Sequence, residues 1–314
     1  MIEGVRGTRT FEGSEAKKYV KVINTFYHVS EQAEFKLIKL PSLEREELFS
    51  RTVGEYTDIV TKQMFTFSDK KGRKLVLRPE GTAGVMRNYI EKKYKDEKRY
   101  FYSEQMYRYE RPQKGRYREF HQVGAEIIGA NNRNIQSIVD IAVLGSTFLT
   151  KILPEGKNYS LIINSIGSND DRKKYKAILS EFYKTYKSDL SEESQKRIDT
   201  NPLRILDSKN EKDKLISITA PKFKNHRSKS SNEDFENFKS KITTLEFKED
   251  PYLVRGLDYY NGVTFEFIPD DRRGSQDALG GGGQYDSLSS FISTKQINGV
   301  GLAFGVDRIM ELID

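Results

Sequence analysis

The chain has 314 residues, of which 36% are hydrophobic and 32% are charged, so it can bury a substantial core within one large domain or two smaller ones. Cysteine is absent and histidine occurs three times, which excludes disulfides and thiolate zinc sites and argues against a histidine-based metal cluster. Lys and Arg outnumber Asp and Glu by 53 to 46, and the net charge of +7 favours a polyanionic partner without identifying it.

Nothing in the sequence predicts a membrane span or an export signal. No apolar run approaches the roughly 20 residues that a transmembrane helix needs. Residues 1–13 lack the apolar centre of a signal peptide. We therefore predict a cytoplasmic protein that makes no contact with a membrane.

The N-terminal part of the chain predicts one long helix followed by short strands. From Ser14 to Tyr27, apolar residues recur at helical spacing, which is typical of an amphipathic helix with one buried face. A second helix is predicted over residues 79–87, with Thr82 near its start. Short strands are predicted at residues 35–40, 64–67 and 74–77.

Residues 107–126, with the sequence YRYERPQKGRYREFHQVGAE, are the most informative stretch. Their aromatic and β-branched flanks predict two antiparallel strands joined by a basic loop. Because side chains alternate across a strand, Arg108 and Glu110 should share one face of the first strand. One face of the return strand should carry Phe120, Gln122, Gly124 and Glu126. The pattern suits the floor of a nucleotide or small-ligand site, although a solvated hairpin or a plain nucleic-acid contact fits this stretch alone equally well.

The composition changes after a helix predicted at residues 135–152 and a strand at residues 159–164. Residues 167–247 are rich in Lys, Glu, Ser and Asn, which predicts an inserted, mostly helical module. Within it, the low-complexity residues 225–236 predict a mobile loop. Strand character returns at Pro251 and continues through a run of four glycines to a final strand and helix.

Five separated segments resemble the histidyl-tRNA synthetases, a family of class II aminoacyl-tRNA synthetases. Residues 107–126 resemble motif 2 of the family, with its arginine at Arg108. The other four similar segments are residues 20–41 (motif 1), LRPEGTAG at 77–84 (the loop that holds the amino acid's ammonium group), LVRGLDYYN at 253–261 (the histidine-specific signature) and GVGLAFGVDRIMEL at 299–312 (motif 3). Five matches in the family's order are far more specific than any one of them, because each is short enough to recur by chance.

The resemblance implies an α+β fold, a class II synthetase-like antiparallel β-sheet flanked by helices with a mostly helical insertion. It assigns residues 1–166 to the first part of the catalytic domain, 167–247 to the insertion domain and 248–314 to the second part of the catalytic domain. The family's anticodon-binding domain is expected to be absent from this chain. A homodimer formed through the motif 1 region is also implied.

The implied reaction is attack of the carboxylate of L-histidine on the α-phosphate of ATP, followed by transfer of histidine to the 3′ end of tRNA(His). Because two anions meet, catalysis must come from alignment and from fixed cations. The resemblance makes Arg108 and Arg255 the catalytic cations at the α-phosphate. It assigns ATP binding to Arg108, Glu110, Arg116, Phe120 and Arg308. Mg²⁺ should accompany ATP, bound largely by phosphate and water, and the sequence names no protein ligand for it.

The resemblance also assigns a histidine pocket, in which Glu126, Tyr259 and Tyr260 surround the imidazole. The remaining histidine-binding residues that it implies are Glu80, Thr82, Gln122, Arg255 and Tyr285. Polar readers of this kind reject substrates that cannot pair with them by about 10⁴ to 10⁵. Two positions depart from the family pattern: Gln284 stands where relatives commonly carry arginine, and Asp307 stands where glutamate is more usual.

Two other functions remain open from the sequence. The first is a histidine-sensing regulatory subunit of an ATP phosphoribosyltransferase, which is synthetase-like but has lost ATP-site residues. This chain keeps the arginines and the glutamate assigned to ATP, which favours the enzyme. The second is an RNA-binding module without catalysis, which would leave Glu80 and Glu126 without a purpose.

Overall fold

The protein is described here by a computed structural model that covers residues 2–54, 57, 59–129, 135–208, 210–270 and 278–313. Its strands, in chain order, are β1 (Lys36–Leu37), β2 (Leu43–Arg45), β3 (Phe65–Ser68), β4 (Lys74–Leu77), β5 (Lys98–Tyr107), β6 (Glu119–Ile128), β7 (Tyr159–Ser165), β8 (Phe247–Glu249), β9 (Asn261–Pro269), β10 (Gly280–Gln284) and β11 (Gly299–Gly305). Its α-helices are α1 (Gly13–Gln32), α2 (Glu46–Thr52), α3 (Thr82–Glu91), α4 (Ile135–Ile152), α5 (Asn169–Thr185), α6 (Glu192–Arg197), α7 (Leu203–Leu206), α8 (Glu211–Ser217), α9 (Lys229–Lys241) and α10 (Val306–Met310).

An eight-stranded sheet with the order β1-β5-β6-β11-β10-β9-β7-β8 forms the centre of the fold. Neighbouring strands are antiparallel, except that β1 runs parallel to β5 and β8 runs parallel to β7 at the two edges. A smaller antiparallel sheet has the order β2-β4-β3. The predicted α+β class, a largely antiparallel sheet flanked by helices, is therefore confirmed.

The two faces of the large sheet differ in chemistry. Residues paired across antiparallel strands point to the same side of the sheet. One row of paired residues across four strands consists of Gly124, Ala303, Gly281 and Glu266, and the next row on the same face consists of Glu126, Gly301, Gly283 and Thr264. The alternate positions on these strands carry Ala125, Leu302, Gly282 and Phe265. One face is thus nearly bare of apolar side chains, and the other belongs to the core.

Helices cover the apolar face. Phe26 of α1 packs edge-on against Phe148 of α4, with ring centroids 5.0 Å apart, and Phe148 in turn contacts Phe304 of β11 at 5.2 Å. Helix α4 is long and apolar enough to span a membrane by length and composition alone, but 61% of it is buried inside the protein. Its role here is that of a core helix, because its apolar residues join the main hydrophobic cluster.

Most predicted elements are found within a few residues of their predicted bounds, and two are not. Only Lys36–Leu37 of the strand predicted at residues 35–40 pairs as a strand. The backbone N–H of Leu40 donates instead to the side chain of Glu104. Beyond the strand, a carboxyl group rather than a neighbouring backbone oxygen is thus the acceptor.

The mobile loop predicted at residues 225–236 is wrong. Helix α9 begins within this segment, and the hydroxyl of Ser228 caps it by accepting from the backbone N–H of Ser231. Phe235 and Phe238 are buried in the main hydrophobic cluster. Two aromatic residues three positions apart were the helical signal, and the polar residues around them concealed it.

The region predicted to be an insertion contains the helices α5 to α9. A separate hydrophobic cluster forms among the helices α5 to α8 and includes Tyr175, Leu179 and Tyr183. Helix α9 packs against α4 instead and belongs to the main core. The division of the chain at residues 166 and 247 stays a prediction.

A buried ion pair joins the segment after β4 to β5. The Arg78 guanidinium donates to Glu104 Oε2 at 2.7 Å, and both side chains are almost fully buried. Arg78 also donates to the backbone oxygens of Leu40 and Gln105. Glu104 accepts from the backbone N–H of Leu40 at 3.0 Å. The pair therefore connects three chain segments next to the polar face of the sheet.

We expect Glu104→Ala to lower the free energy of unfolding by about 3–5 kcal/mol, because it leaves the Arg78 charge buried without its partner. Urea unfolding followed by circular dichroism measures the change. Glu47→Ala is the matched control, since Glu47 pairs with Arg51 on an exposed part of α2, and its loss should cost less than about 1 kcal/mol. Equal losses in the two variants would contradict a special role for the buried pair.

Candidate active site

A fully buried carboxyl group marks the polar face of the sheet. Glu126 of β6 accepts the Tyr285 hydroxyl at 2.6 Å, the Thr82 hydroxyl at 2.7 Å and the Tyr102 hydroxyl at 3.4 Å. Burial raises the pKa of Glu126 to about 8, and the hydrogen bond from Tyr285 opposes this rise. The group can therefore exchange a proton near neutral pH.

A second buried carboxyl group lies at the start of α3. Glu80 accepts from the backbone N–H groups of Thr82 at 2.7 Å and Ala83 at 2.9 Å, and from the Tyr259 hydroxyl at 3.3 Å. Burial raises the pKa of Glu80, and the two backbone donors are the strongest opposing influence. Unpaired N–H groups at a helix start favour a negative charge, which explains why this carboxyl group can be buried here.

Thr82 connects the two carboxyl groups. Its backbone N–H donates to Glu80 while its side-chain hydroxyl donates to Glu126. A continuous hydrogen-bonded network therefore runs from Tyr285 to Tyr259. Such a network holds two acidic groups in a fixed relation inside the protein, which suits a ligand with more than one N–H donor.

Glycine keeps the floor beneath this network open. A methyl group at Gly301 would overlap Glu126 Oε2, and a methyl group at Gly124 would overlap the Tyr102 hydroxyl. Both glycines lie inside strands, where a larger residue would ordinarily be favoured. The close approach of Glu126 and Tyr102 to the sheet requires the bare backbone.

Arg108 lies next to this network. The prediction that Arg108 and Glu110 lie on the first strand is wrong, because β5 ends at Tyr107. The backbone N–H of Arg108 still donates to the backbone oxygen of Arg118. Its side chain donates to the backbone oxygen of Pro79 at 2.9 Å, and its guanidinium lies 5.1 Å from the centroid of the Phe120 ring. Burial lowers the pKa of Arg108, and the charges of Glu110 and Glu80 oppose this.

Arg255 and Arg308 approach the same floor from other parts of the chain. Arg255 pairs with Glu266 of β9, and its guanidinium lies 5.6 Å from the centroid of the Tyr260 ring. Arg308 donates to the backbone oxygens of Ala278 at 2.6 Å and Gly115 at 3.2 Å. Burial raises the pKa of Glu266, whereas the charges of both arginines lower it, so one carboxyl group lies within reach of both.

The structure brings the predicted site residues together around these groups. Arg116 lies 3.7 Å from Glu110 across the motif 2 loop. Tyr259 and Tyr260 contact each other with ring centroids 4.8 Å apart. Gln122 lies on the polar face of β6, opposite Glu104 and Gly305. Strand alternation had predicted this face correctly for Phe120, Gln122, Gly124 and Glu126.

Two residues of the site were missed by sequence reasoning. Tyr102 lies six residues before Arg108, and this even spacing along a strand was the available signal for a shared face. Glu266 is a lone carboxylate within an apolar strand, which is itself unusual. Neither signal identifies a site residue from the sequence alone, because the order of the neighbouring strands must also be known.

The two departures from the family pattern have structural partners. Gln284 Oε1 accepts from the backbone N–H of Val263 at 2.8 Å. Asp307 pairs with Arg9 and accepts from the backbone N–H of His121 at 2.7 Å. Hydrogen bonds to His121 and Arg9 lower the pKa of Asp307 despite its burial. Gln284 thus links two strands of the sheet, and Asp307 joins α10 and the N-terminal segment to β6.

Comparison with known proteins places this arrangement in a family. A model of the histidyl-tRNA synthetases matches residues 7–309. The chain belongs to the histidyl-tRNA synthetase family. It is 40% identical over 318 residues to the histidine–tRNA ligase of Campylobacter hominis, covering 100% of this chain and 76% of that one. It is 41% identical over 315 residues to the histidine–tRNA ligase of Wolbachia pipientis wMel, covering 99% and 76%.

One solved structure agrees with this membership, and a second shares the fold. The apo histidyl-tRNA synthetase of S. aureus is 29% identical, with a TM-score of 0.77, and the match covers 99% of this chain and 73% of that chain. A protein of Bacillus halodurans, described as an ATP phosphoribosyltransferase regulatory subunit/histidyl-tRNA synthetase, is 22% identical with a TM-score of 0.70 and is covered to 84%. The second likeness shows the shared fold alone.

We expect Tyr102→Phe to raise the KM for histidine about tenfold. The change removes one hydrogen bond to a buried carboxyl group, and leaving a buried polar group without a partner costs roughly 1–3 kcal/mol. Amino-acid-dependent pyrophosphate exchange measures the constant. Tyr89→Phe is the matched control, because its hydroxyl donates to Asp96 at 3.0 Å outside the site. An equal change in both variants would show that Tyr102 acts through folding alone.

We expect Glu126→Gln to stabilise the protein relative to wild type as pH rises. Between pH values of about 5 and 8, folded Glu126 keeps a proton that the unfolded chain has released, because its pKa is raised from 4.5 to about 8. Wild type therefore loses stability over this range, and the variant lacks this loss. Urea unfolding at pH 5.5, 7 and 8.5 measures the difference, with the exposed Glu47→Gln as the control for net charge. A difference independent of pH would contradict the raised pKa.

Proposed function

We propose that the chain activates L-histidine with ATP to form histidyl-adenylate and transfers the histidine to the 3′ end of tRNA(His). The observation that carries this proposal is the pair of buried carboxyl groups joined through Thr82, with Arg108 beside Glu80 and with Arg255 and Arg308 near Glu266 on the same polar face of the sheet. The carboxyl groups suit the N–H donors of histidine. The arginines suit a triphosphate. Membership of the family supports the same reaction.

In this proposal, Glu80, Thr82 and Gln122 receive the α-ammonium group of histidine. An ammonium group would offset the burial of Glu80, which its neighbours only partly compensate. Glu126 and the two tyrosines of the signature, Tyr259 and Tyr260, surround the imidazole. Glu126 can accept an imidazole N–H as a carboxylate or donate to a bare ring nitrogen as an acid. Its raised pKa makes both forms accessible near neutral pH.

The pocket would read histidine by polar pairing. An apolar amino acid would leave the carboxyl groups of Glu126 and Glu80 without new partners, at a cost that hydrophobic contact cannot recover. Tyr285 closes the pocket from the strand end, because its hydroxyl is fixed on Glu126 and its ring is fully buried. Arg255 belongs to the same pocket through its contact with the Tyr260 ring.

ATP would bind across the motif 2 strands. Adenine stacks on Phe120 and its exocyclic amine donates to Glu110, while Arg116 and Arg308 hold the β- and γ-phosphates. Arg108 and Arg255 would flank the α-phosphate and stabilise the negative charge that gathers there during attack. Arg108 is fixed by the Pro79 oxygen and Arg255 by Glu266, so neither has to be organised during the reaction.

Mg²⁺ would accompany ATP and neutralise part of the charge of its phosphates. Among the described residues, no group of three histidine, aspartate or glutamate side chains could hold a metal ion. Mg²⁺ seldom needs an all-protein cage, so the proposed ion would be bound mainly by phosphate oxygens and water.

Three further parts of the proposal concern partners and location. The acceptor end of tRNA(His) is the expected RNA partner, and the cytoplasm is the expected location. A homodimer through the motif 1 region is proposed from the resemblance to the family. Val20 of α1 and Leu37 of β1 lie on the surface of this region, 50% and 46% exposed.

Histidine-dependent exchange of label between pyrophosphate and ATP tests the function. We expect exchange with L-histidine and none with the other amino acids. Equal exchange with several amino acids would refute the histidine assignment. Histidine binding without any exchange would instead favour the histidine-sensing regulatory subunit, which is the weaker candidate because the ATP-binding residues Arg108, Glu110, Arg116, Phe120 and Arg308 are all present.

We expect Arg255→Ala to slow exchange by about 10²–10³, as loss of one preorganised charge-stabilising donor does in other enzymes. Arg255→Lys should recover only part of the rate, because an ammonium group keeps the charge but lacks the fork of donors. Arg73→Ala is the control, since Arg73 is 63% exposed and pairs with Asp69 away from the site. A wild-type rate in Arg255→Ala would remove Arg255 from the mechanism.

A further inference from the structure

The histidine signature has little regular structure of its own. Residues 251–260 form neither helix nor strand, although they carry Arg255, Tyr259 and Tyr260. A segment without a backbone ladder must be fixed by contacts from its surroundings. The residues that make those contacts therefore determine how the side chains of the histidine pocket are positioned.

Three side chains from residues 167–247 fasten this segment. Arg172 of α5 donates to the backbone oxygen of Tyr260 at 2.6 Å. The side-chain amide of Asn201 donates to both carboxylate oxygens of Asp258, at 3.0 and 2.9 Å. Arg204 of α7 lies 3.4 Å from the backbone oxygen of Arg255. The contacts therefore hold the signature both at Arg255 and at Tyr260.

Asp258 is held from a second side as well. Its backbone N–H donates to Val53 at 3.1 Å, just after α2. Gly54 adopts a φ of +106°, and a Cβ there would lie 2.6 Å from Asp258 Oδ2. Asn201 is 1% exposed, so its contact with Asp258 is shielded from water. Asp258 is thus clamped between the catalytic part and the helical region.

We propose that Asn201 and Arg172 are positioning residues for the histidine pocket, so that histidine affinity depends on the helical region of residues 167–247. The inference rests on the proposed function. Its physical basis is that a loosened signature spends less time in the binding-competent conformation, and the apparent affinity falls by that fraction. The hydrogen bond from Arg172 holds the backbone oxygen of Tyr260, the last residue before β9.

A consequence for regulation follows from thermodynamic linkage. Any ligand that shifted the helical region on binding would change the affinity for histidine, and histidine would change the affinity for that ligand by the same factor. The contact of Asn201 with Asp258 is the route. The helical region would then take part in selecting the amino acid.

The test compares Asn201→Ala with Asn210→Ala in the full chain. Asn210 caps α8 in the same region by accepting from the backbone N–H of Lys212 at 2.9 Å, and it does not touch the signature. Asn201→Ala should weaken histidine binding about tenfold, measured as the calorimetric Kd and as the KM in pyrophosphate exchange, with the KM for ATP unchanged. Asn210→Ala should leave all three constants at wild-type values.

A double-mutant cycle keeps the proposal testable if Asn201→Ala also lowers stability. The double variant Asn201→Ala, Asp258→Ala should bind histidine no more weakly than Asp258→Ala alone, because both changes break one contact. Arg172→Met, which keeps the apolar stem and removes the donor, should raise the histidine Kd as well. Additive losses in the cycle, an equal rise in the KM for ATP, or an unchanged Kd in Asn201→Ala would each overturn the proposal.

The two claims fail separately in this experiment. If wild type binds histidine without exchanging pyrophosphate, the proposed function fails while the calorimetric Kd still tests the positioning role. If wild type does not bind histidine, the positioning role is refuted along with the pocket.

Discussion

The site depends on one arrangement, in which Thr82 joins the two buried carboxyl groups of Glu80 and Glu126. Burying an acidic group without partners costs several kcal/mol or forces it to take up a proton. Glu80 is compensated by the start of α3, and Glu126 by three hydroxyl groups. The raised pKa of Glu126 shows that the compensation is incomplete. In the proposed function, a ligand with N–H donors would complete it, and the same feature that costs stability would supply selectivity.

The fold makes this arrangement possible by dividing the sheet into two unlike faces. The apolar face packs against α1 and α4, and together they form the main hydrophobic core. Because the core lies on one side only, the opposite face can carry glycine, glutamate and tyrosine without loss of apolar burial. Glycines on β10 and β11 let Glu126 and Arg255 lie directly on the backbone. The signature segment is held to this floor through Arg255, which pairs with Glu266, and to the helical region through Asn201 and Arg172.

The sequence predicted well whatever depends on local pattern. Alternation along β6 placed Phe120, Gln122 and Glu126 on one face, and apolar periodicity predicted α1 and α4. It failed where tertiary contacts decide: Phe235 and Phe238 turn a polar stretch into a core helix, and the contact of Asn201 with Asp258 joins residues 57 positions apart. Tyr102 and Glu266 belong to the site only because neighbouring strands align them. The roles of Arg255 and Arg308 came from the family resemblance, since no local pattern identifies them.

A crystal structure of the chain with ATP and L-histidinol, which lacks the attacking carboxylate, tests the central claim most directly. The account predicts the imidazole within hydrogen-bonding distance of Glu126, adenine on the Phe120 ring, and the α-phosphate between Arg108 and Arg255. A nucleotide bound away from these arginines, or an imidazole that leaves Glu126 without a new partner, would contradict it.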